Sequence, residues 1–186
     1  MIRRTAWCAA LAAAVLAACA ADKPPPKAPV ESELRAQWAA DDPGKALEAV
    51  KDPALRESLR RWFADRAREA AGRSMKLAVG SVATAEEIGI GGGLSIVRLF
   101  AVYHEYDESR FVSRLAGIEA VGGRIGTEYR RTVGGTGVAF VSIKFTELNR
   151  VILDTWRFEK SDPPCCPSRR GETGYQFSPS SLDPLQ

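Results

Sequence analysis

The sequence predicts an α+β protein: a helical segment over residues 31–73 followed by an antiparallel β-meander over residues 74–178. Three observations carry that expectation. Apolar residues recur every four positions between Pro53 and Ala71, the spacing of a helix face. From about Ser74 the period changes to two, the spacing of a strand. The strand candidates are joined by short turns, whereas parallel neighbours need crossovers of roughly a dozen residues or more.

In chain order, the first element is an export signal. Arg3 and Arg4 precede an apolar, alanine-rich run from Ala6 to Ala18, about 13 residues. That is the layout of a secretory leader, and it falls short of the roughly 20 apolar residues a membrane-spanning helix needs. Leu16-Ala17-Ala18-Cys19 resembles the lipobox of bacterial lipoproteins. The resemblance implies removal of residues 1–18 and acylation of Cys19, with the protein held on the membrane through its N-terminal lipid. Ala20 after that cysteine implies sorting to the outer membrane, facing the periplasm. Ordinary secretion, with cleavage after Ala20 or Ala21, is the alternative. Residues 19–30 include Lys23-Pro24-Pro25-Pro26-Lys27-Ala28-Pro29, an extended tether that buries nothing.

The helical segment follows. Asp42-Pro43 and Asp52-Pro53 each set a capping residue before a proline at the first helical position. In the clearest helix, Pro53 to Ala71, Leu55, Leu59, Phe63 and Ala67 form one stripe, widened by Trp62 and Ala70. Gly72 is the expected stop. Leu34 with Trp38, and Leu47 with Val50, give shorter helices a similar face.

The expected strands are Met75–Ala83, Leu94–His104, Arg124–Val133, Val138–Phe145, Arg150–Lys160 and a short Tyr175–Phe177. Val138–Phe145 is apolar enough to be central. Residues 110–121 read either way: Phe111, Leu115 and Ile118 have helical spacing, while Gly122-Gly123 suits a tight hairpin turn. Strand is the expectation. Residues 179–186 read as a C-terminal tail.

Composition narrows the function classes. Of 186 residues, 26 are basic and 23 acidic; two basic residues leave with the leader, so the mature side chains balance to +1. Such a balance offers no electrostatic reason to expect a nucleic-acid partner. The pairs Arg60-Arg61 and Arg130-Arg131 read as solvated faces. Gly89-Ile90-Gly91-Gly92-Gly93 lacks the lysine of a phosphate loop, and His104-Glu105-Tyr106-Asp107 lacks the second histidine of a zinc protease. Ser81 and Ser95 lack a nucleophile elbow. His104 reads as a surface or edge residue, and Glu86-Glu87 and Asp107-Glu108 as turn-flanking charges. No catalytic residue, metal site or cofactor is expected.

Cysteine usage is the unusual chemical feature. With Cys8 in the leader and Cys19 carrying lipid, Cys165 and Cys166 are the thiols of the mature chain in an oxidising compartment. They could form a vicinal disulfide, stay free, bridge two chains or help ligate a metal. Neighbouring Cα atoms lie about 3.8 Å apart, below the roughly 4.4–6.8 Å of relaxed disulfides. A vicinal bond would therefore be strained and readily reduced.

Thr132-Val133-Gly134-Gly135-Thr136-Gly137, Arg150-Val151-Ile152-Leu153-Asp154-Thr155 and Ser161-Asp162-Pro163-Pro164-Cys165-Cys166-Pro167-Ser168 together resemble a group of bacterial exported proteins and lipoproteins. That group shares a C-terminal Asp-Pro-x-Cys-Cys-Pro-Ser turn followed by a short strand, here Tyr175-Gln176-Phe177. The resemblance spans residues 95–178, and this chain is longer than the group between 105 and 133. It implies fold and export, and is silent on mechanism. The functional expectation is a lipid-anchored, non-enzymatic envelope module that binds an unspecified envelope protein or ligand. The alternative is a periplasmic thiol-redox protein using Cys165 and Cys166.

Overall fold

The computed structural model describes residues 31–40, 42–135, 137–163, 166–178 and 180–185. The leader, the tether, Cys19 and Cys165 lie outside the described residues. The chain is mostly antiparallel sheet with a few helices: α1 (Glu31–Ala40), α2 (Pro43–Leu47) and α3 (Pro53–Ala71), then β1 (Lys76–Gly91), β2 (Leu94–Tyr106), β3 (Phe111–Val121), β4 (Arg124–Gly134), β5 (Val138–Glu147), β6 (Arg150–Arg157), β7 (Arg169–Ser178) and β8 (Ser181–Pro184). Where one meander was expected there are two four-stranded sheets, β1-β2-β3-β4 and β5-β6-β7-β8. Every pairing is antiparallel.

The helices start where the aspartate–proline pairs place them. Asp42 and Asp52 each accept a backbone N–H two residues on, at 2.8 Å, satisfying a donor that the first turn leaves unpaired. The stop of α3 differs from expectation. Gly72 keeps right-handed helical angles (φ −59°), and the left-handed position is Ser74 at φ 59°. Ser74 N–H donates to Ala71 O and Met75 N–H to Ala70 O, both at 2.9 Å. This is the paired closure of a Schellman cap. Arg73 is thereby fixed as the last residue of the helical turn.

The first sheet lies between two apolar layers. On one face, Val97, Leu99, Ala101 and Tyr103 of β2 and Ala116, Ile118 and Ala120 of β3 pack against Leu55, Leu59, Trp62 and Phe63 of α3. On the other, Phe100, Val102 and Leu115 pack against Val141, Val151, Leu153, Tyr175 and Phe177 of the second sheet. Burying each large apolar side chain contributes roughly 1.5–3 kcal/mol. This double burial explains why β2 is apolar on both faces from Leu99 to Val102 and β3 from Leu115 to Ile118, and why residues 111–121, despite their helical spacing, form a strand. Gly122 and Gly123 sit at φ 54° and 77°, the mirror-image turn that matches hairpin twist. At Gly117 a Cβ would stand 2.8 Å from the Phe177 ring; the missing side chain is what lets the two sheets approach.

Several boundaries depart from the sequence reading. β1 runs to Gly91, so Glu86 and Glu87 are strand residues, and Glu86 pairs with Arg98 at 2.8 Å. β5, expected at a sheet centre, is an edge strand bonded to β6 among the described residues. Its apolar character comes from packing against the first sheet through Val141. The expected tail contains β8, whose Leu182 is buried in the same core. Asp107 holds the β2–β3 turn: its Oδ1 accepts the N–H groups of Ser109 at 2.8 Å and Arg110 at 2.9 Å. Those bonds, together with Arg110, hold its carboxyl far below the usual range.

Candidate functional site

The end of β2 places three consecutive polar-tipped residues on alternating faces of the first sheet. Tyr103 and Glu105 point to the helix side and His104 to the second sheet. His104 is 1% exposed, against its expected place at a surface or edge. Its Nδ1 is hydrogen-bonded to Ser113 Oγ at 2.9 Å, the tautomer deciding which group donates. Burial pushes its pKa down to about 4, so the ring is neutral at physiological pH. It has no solvent-facing edge from which to act as a general base.

The helix side of the same strand end is open. A cleft of about 660 Å³ lies between the end of α3 and strands β2, β3 and β4, lined by Glu69, Gly72, Arg73, Glu105, Arg114 and Arg130. The neighbouring core is aromatic: Tyr103 meets Trp62 and Phe63 edge-on, with centroids 5.7 and 6.3 Å away. Arg66 lies 5.5 Å over the Trp62 ring, a distance that favours cation–π attraction. The Trp62 indole N–H donates to Glu128, which also takes Arg66 at 3.1 Å.

Glu105 is the centre of the cleft. It is 1% exposed, and burying a carboxylate requires compensating partners. Arg73 donates to its Oε1 at 2.8 Å. Arg114 Nε lies 3.1 Å from Oε2, while its Nη1 donates to Thr132 Oγ1 at 3.0 Å. Oε2 itself is sealed from solvent. Burial alone would raise the Glu105 carboxyl; Arg73 and Arg114 outweigh it and hold the pKa below the ordinary value. The site thus holds an ionised, buried carboxylate between two arginines. Tyr103 Oη is likewise buried without an aligned partner among the described residues, with Arg130 beside it, and burial pushes its phenol pKa up.

Arg130 ties the far wall, donating to Glu69 at 3.1 Å and standing 3.4 Å from Glu128. Three arginines face two glutamates around the opening, an excess of one positive charge. The arrangement can hold an anionic group.

A second polar cluster, on the opposite face of the first sheet, ties the two sheets together. Arg98 donates to Glu119 at 2.7 Å and to Glu86 at 2.8 Å. Asn149, in the β5–β6 turn, bridges the same pair when its amide is oriented to satisfy both. These groups satisfy one another and leave nothing for a ligand.

The residues singled out from the sequence do not meet at the cleft. Cys19 and Cys165 lie outside the described residues. Cys166 is disulfide-bonded, with its partner cysteine also outside them. It sits in the β6–β7 connection, whose ends Asp162 fastens by accepting Glu159 N–H and Ser168 N–H at 2.8 Å each. That loop belongs to the second sheet, while the cleft is on the far face of the first. Of the two basic pairs, Arg60 and Arg61 are exposed beside Glu57. Arg130 of the other pair is a wall of the cleft.

The sequence reading missed Arg73, Tyr103, Glu105 and Arg114. One signal pointed to Glu105: a carboxylate inside a strand apolar on both faces must find a cationic partner. Among the described residues no group of three or more histidine, cysteine or acidic side chains is placed to hold a metal ion, and no helix is long and apolar enough to cross a membrane. No protein-family model, curated protein or solved structure matches the chain.

Proposed function

We propose that this chain is a lipid-anchored module of the bacterial cell envelope, with Cys19 as the acylated residue and the outer membrane as its destination. In this reading it is an α+β binding protein, helices leading two antiparallel sheets, and it does no chemistry on its ligand. One observation carries the binding half of the reading: Arg73, Arg114 and Arg130 converge on a solvent-open cleft and outnumber the two glutamates that line it. The Leu16-Ala17-Ala18-Cys19 string carries the address.

Two experiments test the halves separately. Wild type should take up a palmitate analogue in cells and Cys19→Ala should not; equal labelling of both would sink the anchor. In pull-downs from solubilised membranes, Arg73→Glu with Arg114→Glu should lose the partners that wild type retains, at unchanged circular dichroism. Retention of every partner would remove the cleft from the reading. The thiol-redox alternative rests on the disulfide at Cys166. It requires Cys165→Ser with Cys166→Ser to abolish a redox-dependent phenotype in a chain as stable as wild type.

A further inference from the structure

The cleft and helix α1 lie at one end of the molecule. Leu34 of α1 packs on Ala78 and Tyr106, and Arg35 donates to Asp107 O, beside the strand end that carries Glu105. Ser74, next to the cleft residue Arg73, lines a hollow together with Arg35. Residues 19–30, at most about 3.3–3.6 Å each, connect that end to the expected lipid at Cys19. The opposite end is the β1–β2 turn, where Ile90 and Leu94 are exposed. It lies a strand length away, roughly 40 Å along β2.

The charge at the cleft end suits one negative group. Arg73, Arg114 and Arg130 face Glu69 and Glu105 across the opening. The adjoining hollow sets Arg35 and Lys76 against Asp107 and Glu108, so the excess stays at one positive charge. Arg73 uses its N–H groups on Glu105 and the Glu69 carbonyl, and Arg114 on Glu105 and Thr132. Each guanidinium carries five N–H groups, so both keep donors for a further anion. Such a fork grips the paired oxygens of a phosphodiester as it does those of a carboxylate. Both anions carry a single charge, and position decides between them. At the end nearest the bilayer, the concentrated anion is the phosphate of the lipids themselves.

Granted that the chain is lipid-anchored and that the cleft is a binding site, we propose that the cleft binds the phosphodiester of an anionic lipid headgroup. The domain then sits on its own membrane with the cleft downward and the β1–β2 turn directed away. A zwitterionic headgroup neutralises its phosphate with its own cation, so phosphatidylglycerol should be preferred to phosphatidylcholine.

The test anchors the full-length lipidated protein in vesicles, with a donor dye at Glu108→Cys and acceptor dyes on the headgroups. Energy transfer should be higher in vesicles containing phosphatidylglycerol than in phosphatidylcholine alone. Arg114→Gln with Arg130→Gln should remove that difference, and the comparison of lipids stands even if this variant fails to fold. Ile90→Asp with Leu94→Asp, at the far end, should leave it unchanged. In a second arm the protein in neutral detergent micelles is titrated calorimetrically with glycerophosphoglycerol, the same headgroup without acyl chains, and with acetate. Glycerophosphoglycerol should bind at least as tightly as acetate, and Arg130→Gln should weaken it roughly fivefold. Binding in micelles without any lipid dependence in vesicles overturns the membrane as the source and leaves soluble phosphate esters. Tighter binding of acetate overturns the phosphate. A lipid dependence lost only on changing Ile90 and Leu94 makes the apolar turn the membrane-facing end and overturns the orientation. Flat transfer with heats equal to buffer overturns the inference entirely, while palmitate labelling and the pull-downs still judge the anchor and the cleft on their own.

Discussion

The two faces of β2 meet the same problem, a polar side chain at the end of a buried strand, and solve it in opposite ways. On the side of the second sheet, His104 is sealed in: it gives up its charge, bonds Ser113 and leaves a packed core. On the helix side, one residue later, Glu105 keeps its charge, and three arginines gather around a cleft that remains open. The difference follows from what covers each face. A sheet laid on a sheet closes continuously, so a titratable group there is cheapest when neutral. A helix covers only a stripe, and α3 with its closing turn at Arg73 leaves the corner beside Glu105 uncovered. The uncovered corner is wet enough to keep ions. Charged groups collect where the covering layer runs out.

The sealed face should be the less tolerant. Phe177 lies edge-on to Phe100, at 6.4 Å between centroids, and fills the space above Gly117. Phe177→Ala is expected to cost about 3–5 kcal/mol, measured by urea unfolding. A loss below about 1 kcal/mol would mean that the second sheet is not packed on the first as described.

Acid should act on this face too. The His104 pKa is lower in the folded protein than its ordinary 6.5, at about 4. Between those values the unfolded chain binds the extra proton, so stability falls as pH drops from 6.5 towards 4. The full contribution is on the order of 3 kcal/mol. Glu105, whose folded pKa is lowered, gives stability present above its unfolded value of 4.5 and lost below it. The stretch from pH 6.5 to 4.5 therefore reports on His104. His104→Gln should flatten it, and an unchanged slope would place the titrating group elsewhere.

The open face should respond more mildly. Glu105→Gln leaves Arg73 and Arg114 able to turn to water, so a loss of about 1–2 kcal/mol is expected. A loss as large as that of Phe177→Ala would make the cluster a keystone of the fold instead of a binding surface. The smallest effect belongs to the cap that ends the covering helix. Ser74 occupies a left-handed conformation that costs an ordinary residue roughly 1 kcal/mol. Ser74→Gly should raise stability by about 0.5–1 kcal/mol with the helix content unchanged. A decrease would show that the serine side chain contributes more than its backbone costs.

Local physics was legible in the sequence. The bounds of α3 followed from Asp52-Pro53 and a four-residue stripe, because caps and periodicity are properties of neighbouring residues. The strands from Leu94 to Arg157 followed, to within a few residues, from alternation and glycine turns. The Arg73–Glu105–Arg114 cluster was not legible, since Arg73 and Glu105 are 32 residues apart and meet only when α3 lies on β2. The same limit explains β5. A run of apolar residues records burial on both faces but not which layer supplies it, so an edge strand covered by a second sheet reads as a central one. It explains His104 and Glu105 as well. His104 reads from the sequence as a surface or edge residue, and Glu105 carries no placement there. Only the stacking of a sheet on one face and a helix on the other decided that the first would be buried neutral and the second buried charged between arginines.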